Sequence, residues 1–403
     1  MPQLARRMGR AKQSAIMLVA EKARQLKAQG RDIISFSIGV PNFLPGAHVY
    51  DAARAALDAD SGQYGSNRGA DALLDAFLAH IADAGLTGYT RANCATGIGA
   101  KHILYNLCEA LLEEGDGFAF ATPYWTTYLD IGELLGAEVQ LLPCPPEQDY
   151  KLVPAQLDAA LAMKPKLFLF NNPSNPTGMV YTRAEIAALA DVIARHPDTW
   201  VITDDIYHRM VFDGVGYHNF LHARPELRDR VIFVDSLSKT YGMPGWRVGF
   251  MAGPEEVAKA LTALNSTHIT NVPEVVTAAA IAALSGPQDV PTEKCAEFQR
   301  RRDQVLAVLA DIPGVACPRP QGAFYAFPDV SIAFGRTHAP TGLRIDNDVD
   351  LCNALLEAKG VACVPGSAFG EPRSLRISYT CPEAQLAPGL QRFREFFAEL
   401  KSP

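Results

Sequence analysis

Short apolar runs alternate with helical stretches through the middle of the chain. Residues 167–170, 200–203 and 231–234 are almost entirely apolar and end at turn-forming or acidic residues, as strands buried on both faces do. The stretch Arg183–Arg195 follows a threonine and has glutamate at its third position, which is the spacing of a helix capping box. Because strands and helices alternate, the pattern predicts an α/β fold around a mostly parallel sheet.

Two further features mark helices and a break between domains. Residues 100–114 carry four leucines on one helical face, and Gly115 follows as a terminator. A stretch rich in glycine and proline at 286–291 interrupts the pattern, so we place a domain boundary near it. The long polar helix predicted after it contains three consecutive arginines, 300–302, which we interpret as a solvent-exposed face.

Composition narrows the class of protein. The 403 residues include 44 acidic and 37 basic side chains, giving a net charge of −7, so the overall field repels nucleic acid. Apolar stretches such as 275–284 are far shorter than the roughly 20 residues that a membrane span needs. Eight scattered cysteines are typical of a reducing compartment. We therefore expect a cytoplasmic protein with no membrane or nucleic-acid partner.

The first twelve residues contain four basic and no acidic side chains. An organelle transit peptide has a similar composition, but we favour a solvated basic face on a first helix.

Several chemical motifs are incomplete. Gly97 and Gly99 begin a dinucleotide fingerprint that lacks its third glycine, so a nicotinamide cofactor is not supported. His218 and His222 have the spacing of two zinc ligands, but no glutamate follows His218, and we interpret the segment as a surface turn. We predict no metal site.

One segment carries specific chemistry. Residues 235–247, DSLSKTYGMPGWR, follow the third apolar run and place Lys239 at a strand end between hydroxyl side chains, with Arg247 eight residues later. A pyridoxal phosphate enzyme needs such an amine for its aldehyde and such donors for its phosphate. Taken alone, the segment fits a surface loop with an incidental lysine equally well.

Three other segments complete a pattern: NNPSNPTG at 171–178, DDIY at 204–207 and SLRISY at 374–379. With the lysine segment, in this order and spacing, they resemble the class I and II aminotransferases, pyridoxal phosphate enzymes of fold type I, and particularly the bacterial aspartate aminotransferase branch. The resemblance implies a large domain with a mostly parallel sheet flanked by helices, and a smaller α+β domain made of both chain ends. We place an N-terminal arm and part of the small domain at 1–45, the large domain at 46–286 and the small C-terminal domain at 287–403.

The resemblance implies pyridoxal 5′-phosphate as cofactor and a role for each matching residue. Lys239 would form the internal aldimine and then move the proton between the substrate α-carbon and the cofactor. Asp204 would pair with the pyridine nitrogen, while Tyr207 and Asn175 would donate to the ring oxygen. The other implied cofactor contacts are Gly99, Ala100, Lys101, Trp125, Ser236, Ser238, Arg247 and, from the neighbouring subunit of a homodimer with shared active sites, Tyr64.

The same resemblance implies the substrate contacts. Arg376 would hold the α-carboxylate by a bidentate pair, assisted by Asn175 and the backbone at Gly39, with Trp125 nearby. Lys101 matches the position at which the bacterial branch binds a distal carboxylate. Aspartate or glutamate is therefore the expected amino donor, with a 2-oxo acid such as 2-oxoglutarate as acceptor.

Departures from the family pattern keep other functions open. Residues 13–16, QSAI, lack a hydroxyl that is common in that branch, and Val40 and Asn42 replace residues that are commonly acidic. An aromatic or specialised-pathway amino acid is the alternative substrate, and a lyase of the same fold is the alternative chemistry. A DNA-binding regulator is disfavoured, because only 38 residues precede Gly39 and the chain is acidic.

Overall fold

The computed structural model describes residues 3–59 and 62–401. The α-helices are α1 (Ala15–Ala28), α2 (Ala47–Asp58), α3 (Asp71–Asp83), α4 (Ala100–Leu111), α5 (Thr126–Leu135), α6 (Pro154–Ala162), α7 (Arg183–Arg195), α8 (Phe220–Ala223), α9 (Leu237–Thr240), α10 (Glu255–His268), α11 (Glu274–Ser285), α12 (Asp289–Ala310), α13 (Asp348–Lys359) and α14 (Glu383–Ala398).

The strands are β1 (Ile34–Ser35), β2 (Cys94–Gly97), β3 (Gly117–Thr122), β4 (Glu138–Pro143), β5 (Leu167–Asn171), β6 (Trp200–Asp204), β7 (Val231–Ser236), β8 (Gly249–Ala252), β9 (Tyr325–Ala326), β10 (Arg336–His338), β11 (Arg344–Ile345), β12 (Val361–Ala362), β13 (Val364–Pro365), β14 (Leu375–Ser378) and β15 (Leu400–Lys401). The three apolar runs that predicted strands form β5, β6 and β7.

A seven-stranded sheet forms the centre of the molecule, in the order β2-β8-β7-β6-β5-β3-β4. The pairs from β7 to β4 are parallel, whereas β8 runs antiparallel to both of its neighbours. Two clusters of buried apolar side chains lie against the sheet. In β3, Phe118 and Phe120 belong to the first cluster, and Ala119 between them belongs to the second. Because a strand alternates its side chains between faces, both faces of the sheet are covered, as predicted for an α/β fold.

Both chain ends meet outside the central sheet. Strand β1, near the N-terminus, pairs in parallel with β12, and β14 lies between β13 and β9 in a small antiparallel sheet. Helix α11 ends at Ser285 and the 22-residue α12 begins at Asp289, so the chain breaks only over 286–288 and the rest of the predicted break, 289–291, is the first turn of α12. The domain boundaries at 45 and 286 stay predictions. Among the described residues, no helix is both long enough and apolar enough to cross a bilayer.

The prediction of a solvent-exposed arginine face was wrong for two of the three residues. Arg301 is 2% exposed and Arg302 is fully buried. Arg302 forms a bidentate pair with Asp213, and Arg301 donates to the backbone carbonyl groups of Tyr379 and Cys381. These contacts lie far apart in sequence, so the charge run alone did not reveal them.

Two local predictions also need correction. The helix predicted over 100–114 ends at Leu111, because the backbone adopts an extended conformation at Leu112. The surface turn predicted at 218–222 is instead the start of α8: Asn219 is 2% exposed, and its side chain accepts from the backbone N–H of Leu221. Asparagine is a poor residue inside a helix but a good one at its start.

Candidate active site

The predicted site residues converge at the carboxyl ends of β5, β6 and β7. A cavity of about 250 Å³ opens there, which we call the strand-end cavity. Parallel strands deliver their carboxyl ends to one edge, so residues distant in sequence meet there. Of the predicted residues, those lining the cavity are Gly39, Ala100, Lys101, Trp125, Asn175, Asp204, Tyr207, Ser236, Ser238, Lys239, Arg247 and Arg376.

Two predicted residues are not among those lining the cavity. Gly99 caps α4 directly beside it. Tyr64 is 89% exposed, and its predicted contact across a subunit interface stays a prediction.

Lys239 lies within α9, directly after β7, with its amine in the cavity. Its Nζ donates to the backbone carbonyl of Gly39 at 2.7 Å. Burial lowers the pKa of this amine to about 8, and the positive charge of Arg376 acts in the same direction, while Asp204 opposes it. A lowered pKa leaves a larger fraction of the amine unprotonated at neutral pH, which is the form that attacks a carbonyl carbon.

Asp204 ends β6 and is 1% exposed. Its Oδ2 accepts a hydrogen bond from the Tyr128 hydroxyl at 2.6 Å, whereas its Oδ1 is buried without a partner. Burial raises the pKa of the carboxyl to about 6, and the Tyr128 hydrogen bond limits the rise. A buried carboxylate with one oxygen free is suited to bind a cationic N–H donor that enters the cavity.

Tyr128 was not predicted as a site residue. It lies on α5, and a lone aromatic residue on a helix is indistinguishable in sequence from a core residue.

The Tyr128→Phe variant removes the hydrogen-bond donor to Asp204, so the pKa of Asp204 should rise. The acidic limb of the kcat/KM profile should then move to higher pH, with activity reduced about fivefold. Tyr124→Phe, which changes a buried neighbour not bonded to Asp204, is the control. An unchanged profile in Tyr128→Phe would contradict this role.

Arg376 is buried at 1% exposure in the middle of β14. One guanidinium nitrogen donates to Oδ1 of Asn175 at 3.0 Å and another to the backbone carbonyl of Ser37 at 2.6 Å, while Nε has no partner. The rings of Tyr325 and Phe369 lie 4.7 and 4.9 Å from the guanidinium carbon. A buried cation with neutral partners and an unpaired N–H is suited to bind a carboxylate.

Tyr207 contacts a second residue that sequence reasoning missed. Its hydroxyl lies 2.8 Å from that of Tyr325, which enters the cavity from β9. Tyr325 also leaves no room for a side chain at position 39, because a Cβ on Gly39 would lie 2.1 Å from its hydroxyl. Tyr325 follows a Gly-Ala-Phe turn that has no distinctive spacing, so no sequence pattern indicates that it lies in the site.

The start of α4 brings together groups of the kind that bind anions. Gly99 has φ 97°, and a Cβ there would lie 2.4 Å from a guanidinium nitrogen of Arg247. Arg247 itself donates to the backbone carbonyl groups of Ile98 and Pro244. The hydroxyl of Ser236 lies in the same cavity. Free N–H groups at a helix start, a cation and a hydroxyl together suit a phosphate group.

The outer part of the cavity combines a cation with apolar side chains. Lys101 Nζ lies 5.0 Å from the centre of the Trp125 ring. Ile16 and Met17 from α1, together with Ile38 and Val40, complete this part of the wall. Val40, which the sequence analysis noted in place of a commonly acidic residue, makes this part of the wall apolar. The position of Met17 in the wall was not predicted.

Comparison with known proteins places the whole chain in one family. The family model described as aminotransferase class I and II matches residues 31–393. An aspartate/prephenate aminotransferase of Cereibacter sphaeroides is 40% identical over 98% of both chains, and an aspartate aminotransferase of Geobacillus stearothermophilus is 36% identical over 98% of both.

Solved structures of aspartate aminotransferases have the same fold as this chain. The crystal structure of the aspartate aminotransferase from Rhizobium meliloti superposes with a TM-score of 0.95 at 35% identity, covering 100% of both chains. The aspartate aminotransferase from Thermus thermophilus with maleate superposes with a TM-score of 0.89 at 31% identity, covering 98% of this chain and 100% of that one. The chain therefore belongs to the class I and II aminotransferases.

Proposed function

We propose that this aminotransferase binds pyridoxal 5′-phosphate at Lys239 and moves the amino group of aspartate or glutamate to a 2-oxo acid such as 2-oxoglutarate. The observation that carries the proposal is the unpaired Oδ1 of Asp204 in the same cavity as the Lys239 amine and the Arg376 guanidinium. Homologues named aspartate aminotransferase support the choice of donor.

The residues of the strand-end cavity fit this cofactor at each of its polar groups. Oδ1 of Asp204 lacks a partner and can accept from a protonated ring nitrogen. Tyr207 and Asn175 can donate to the ring oxygen, and the Lys239 amine can bind the aldehyde carbon. The phosphate fits the N-terminus of α4 with Ala100, Ser236, Ser238 and Arg247.

When bound, the cofactor supplies an electron-accepting ring that takes up the electron pair left at the substrate α-carbon. Asp204 keeps the proton on the ring nitrogen, because its ionised carboxylate stabilises that positive charge in a buried setting. Once the substrate amine has taken its place on the cofactor, the Lys239 amine would take the proton from the substrate α-carbon and return it to the carbon that carried the aldehyde, two bonds away. Arg376 binds the α-carboxylate and so directs the α-hydrogen towards Lys239.

The lowered pKa of Lys239 predicts how the cofactor-free enzyme takes up the aldehyde. Only the neutral amine attacks, so the uptake rate should rise with pH, reach half of its maximum near pH 8 and level off above it. Stopped-flow measurement of the visible absorption during reconstitution tests this. A half-maximal rate near the ordinary lysine value of 10.5 would show that burial does not perturb this amine.

Lys101 and Trp125 define the side-chain preference that we propose. A distal carboxylate can pair with Lys101, and the Thermus thermophilus structure holds maleate, itself a dicarboxylate. The apolar wall of Ile16, Met17 and Val40 also accommodates a larger or aromatic side chain. The name of the Cereibacter sphaeroides relative, which pairs aspartate with prephenate, supports a substrate with a larger, ring-bearing side chain.

Replacing Lys101 by methionine should affect acidic substrates and large apolar substrates differently. The variant loses the cation but keeps a chain of similar length, so kcat/KM for aspartate should fall about tenfold, while that for phenylalanine should change less than about twofold. Lys12→Met, which removes a surface lysine paired with Glu133, is the matched control. An equal loss on both substrates would show that Lys101 does not contact the side chain.

A panel of amino acids against 2-oxoglutarate tests the proposed reaction itself. We expect glutamate formation from aspartate, and conversion of the cofactor to its amine form by aspartate alone. Release of ammonia and pyruvate without an acceptor would instead identify a lyase.

We further propose that the enzyme is a cytoplasmic homodimer. Tyr64, Leu44 and Leu57 are each exposed in the single chain, which supports an interface that covers them. In a dimer, Tyr64 would reach the phosphate in the neighbouring cavity, so mixing Tyr64→Phe with Lys239→Ala subunits should restore part of the activity. Light scattering that gives a monomer would contradict the shared site.

A further inference from the structure

Three ionisable side chains meet in the interior behind the Lys239 segment. His80 on α3 and His208 after β6 are each 5% exposed, and Asp235 on β7 is 1% exposed. One ring nitrogen of each imidazole and one carboxylate oxygen of Asp235 lie within 4.8 Å of one another. We call these residues the histidine–aspartate cluster. They are separate from the residues that line the strand-end cavity.

The spacing of these atoms suits a small metal ion. His80 Nε2 lies 3.1 Å from Asp235 Oδ2, and His208 Nδ1 lies 3.7 Å from the same oxygen. Ligands of a tetrahedral Zn²⁺, each about 2.0–2.1 Å from the ion, lie about 3.3 Å apart. Both nitrogen–oxygen distances lie within about 0.4 Å of that spacing. The two ring nitrogens lie within 4.8 Å of each other, so side-chain rotation has to bring them to the ligand spacing when an ion binds.

The remaining atoms of both imidazoles allow this arrangement. With Nε2 as the ligand, His80 would carry its proton on Nδ1, which lies 3.5 Å from the Tyr241 hydroxyl. With Nδ1 as the ligand, His208 would give up its 3.0 Å contact with the Asp205 carbonyl and carry its proton on Nε2, which is buried without a partner. Each metal-bound ring then carries its one proton on the nitrogen that does not face the ion.

A second cavity gives solvent access to the cluster. It has a volume of about 290 Å³ and is lined by His80, Asp83, Ala84, His208, Arg209 and Tyr217. Water in it can supply a fourth ligand. The Arg209 guanidinium hydrogen-bonds to the Tyr241 hydroxyl and to Gln288. The ligand set of two imidazoles and one ionised carboxylate carries a net charge of about −1, which favours a dication.

We propose that His80, His208 and Asp235 form a binding site for one Zn²⁺ per chain, with water as the fourth ligand. Two imidazoles and one carboxylate are a ligand set that divalent first-row metals, and zinc above all, occupy in proteins. Asp235 is the first residue of the lysine segment, and its Oδ1 accepts a hydrogen bond from the backbone N–H of Ser236 at 2.7 Å. The three ligands are separated by 27 to 128 residues, which is why no sequence motif indicates them.

Zinc binding to the chelator-treated holoenzyme tests the proposal. Titration calorimetry and metal analysis should give one Zn²⁺ per chain, and the thermal midpoint should rise with zinc concentration. In His208→Gln and His80→Gln, the affinity should fall by at least about tenfold, and the visible absorption of bound Co²⁺ should disappear. Circular dichroism shows whether each variant is folded, and either folded variant suffices.

His268→Gln is the matched control. His268 is exposed and its ring faces that of His102, with centroids 6.4 Å apart, so this surface pair is the alternative zinc-binding site. Its replacement should leave stoichiometry and affinity unchanged. The proposal is overturned if the wild-type enzyme binds no zinc, if both cluster variants bind it as tightly as wild type, or if His268→Gln alone abolishes binding.

Discussion

Lys239→Ala should abolish both the visible absorption of the holoenzyme and its transaminase activity. The substitution removes the amine that holds the cofactor and the base that moves the substrate proton, and a positioned acid–base group alone contributes about 10²–10⁴ in rate. We therefore expect a loss of at least about 10⁴-fold in kcat with aspartate and 2-oxoglutarate. Absorption spectra and steady-state kinetics measure the two effects.

Lys259→Ala is the control for this experiment. Lys259 lies on the surface, where it pairs with Glu255 one helical turn away, and its loss should leave spectrum and rate unchanged. A Lys239→Ala enzyme that keeps a borohydride-reducible chromophore would show that another lysine holds the aldehyde.

Arg376→Lys should lower kcat/KM for aspartate about 100-fold while leaving the cofactor spectrum intact. Lysine keeps the positive charge but has a single ammonium group, so it cannot reproduce two parallel hydrogen bonds to the α-carboxylate. Losing one hydrogen bond to a charged group costs about 1.5–3 kcal/mol. The loss should be similar for aspartate and phenylalanine, because every amino acid presents the same α-carboxylate.

Arg373→Lys is the matched control, because Arg373 lies just before β14 and forms a surface ion pair with Glu147. Surface pairs contribute about 0–1 kcal/mol, so this variant should retain nearly full activity. If Arg376→Lys affected aspartate alone, the residue would contact the side chain rather than the α-carboxylate.

The sequence predicted those parts of the fold that local patterns determine. The apolar runs became β5, β6 and β7, and Arg183–Arg195 is a helix with the expected capping box, in which Thr182 accepts from the backbone N–H of Glu185. These features can be predicted because neighbouring residues in the sequence carry their signals. The family resemblance then supplied the site residues of the strand-end cavity, which topology brings together.

Residues whose role depends on distant partners escaped prediction. Tyr128 and Tyr325 reach the site from α5 and β9, and only the folded chain shows that their hydroxyls contact Asp204 and Tyr207. Arg302 was expected in solvent, yet it is buried because Asp213, 89 positions away, neutralises it. A charge run predicts solvent exposure only where the fold offers no buried counter-ion.

The central claim is that the amine of Lys239 holds the cofactor aldehyde. Borohydride reduction of the holoenzyme, followed by peptide mass spectrometry, locates the modified lysine directly. We predict a single pyridoxyl phosphate adduct on Lys239. An adduct on a different lysine, or none on an enzyme that is active with the cofactor, would contradict the account.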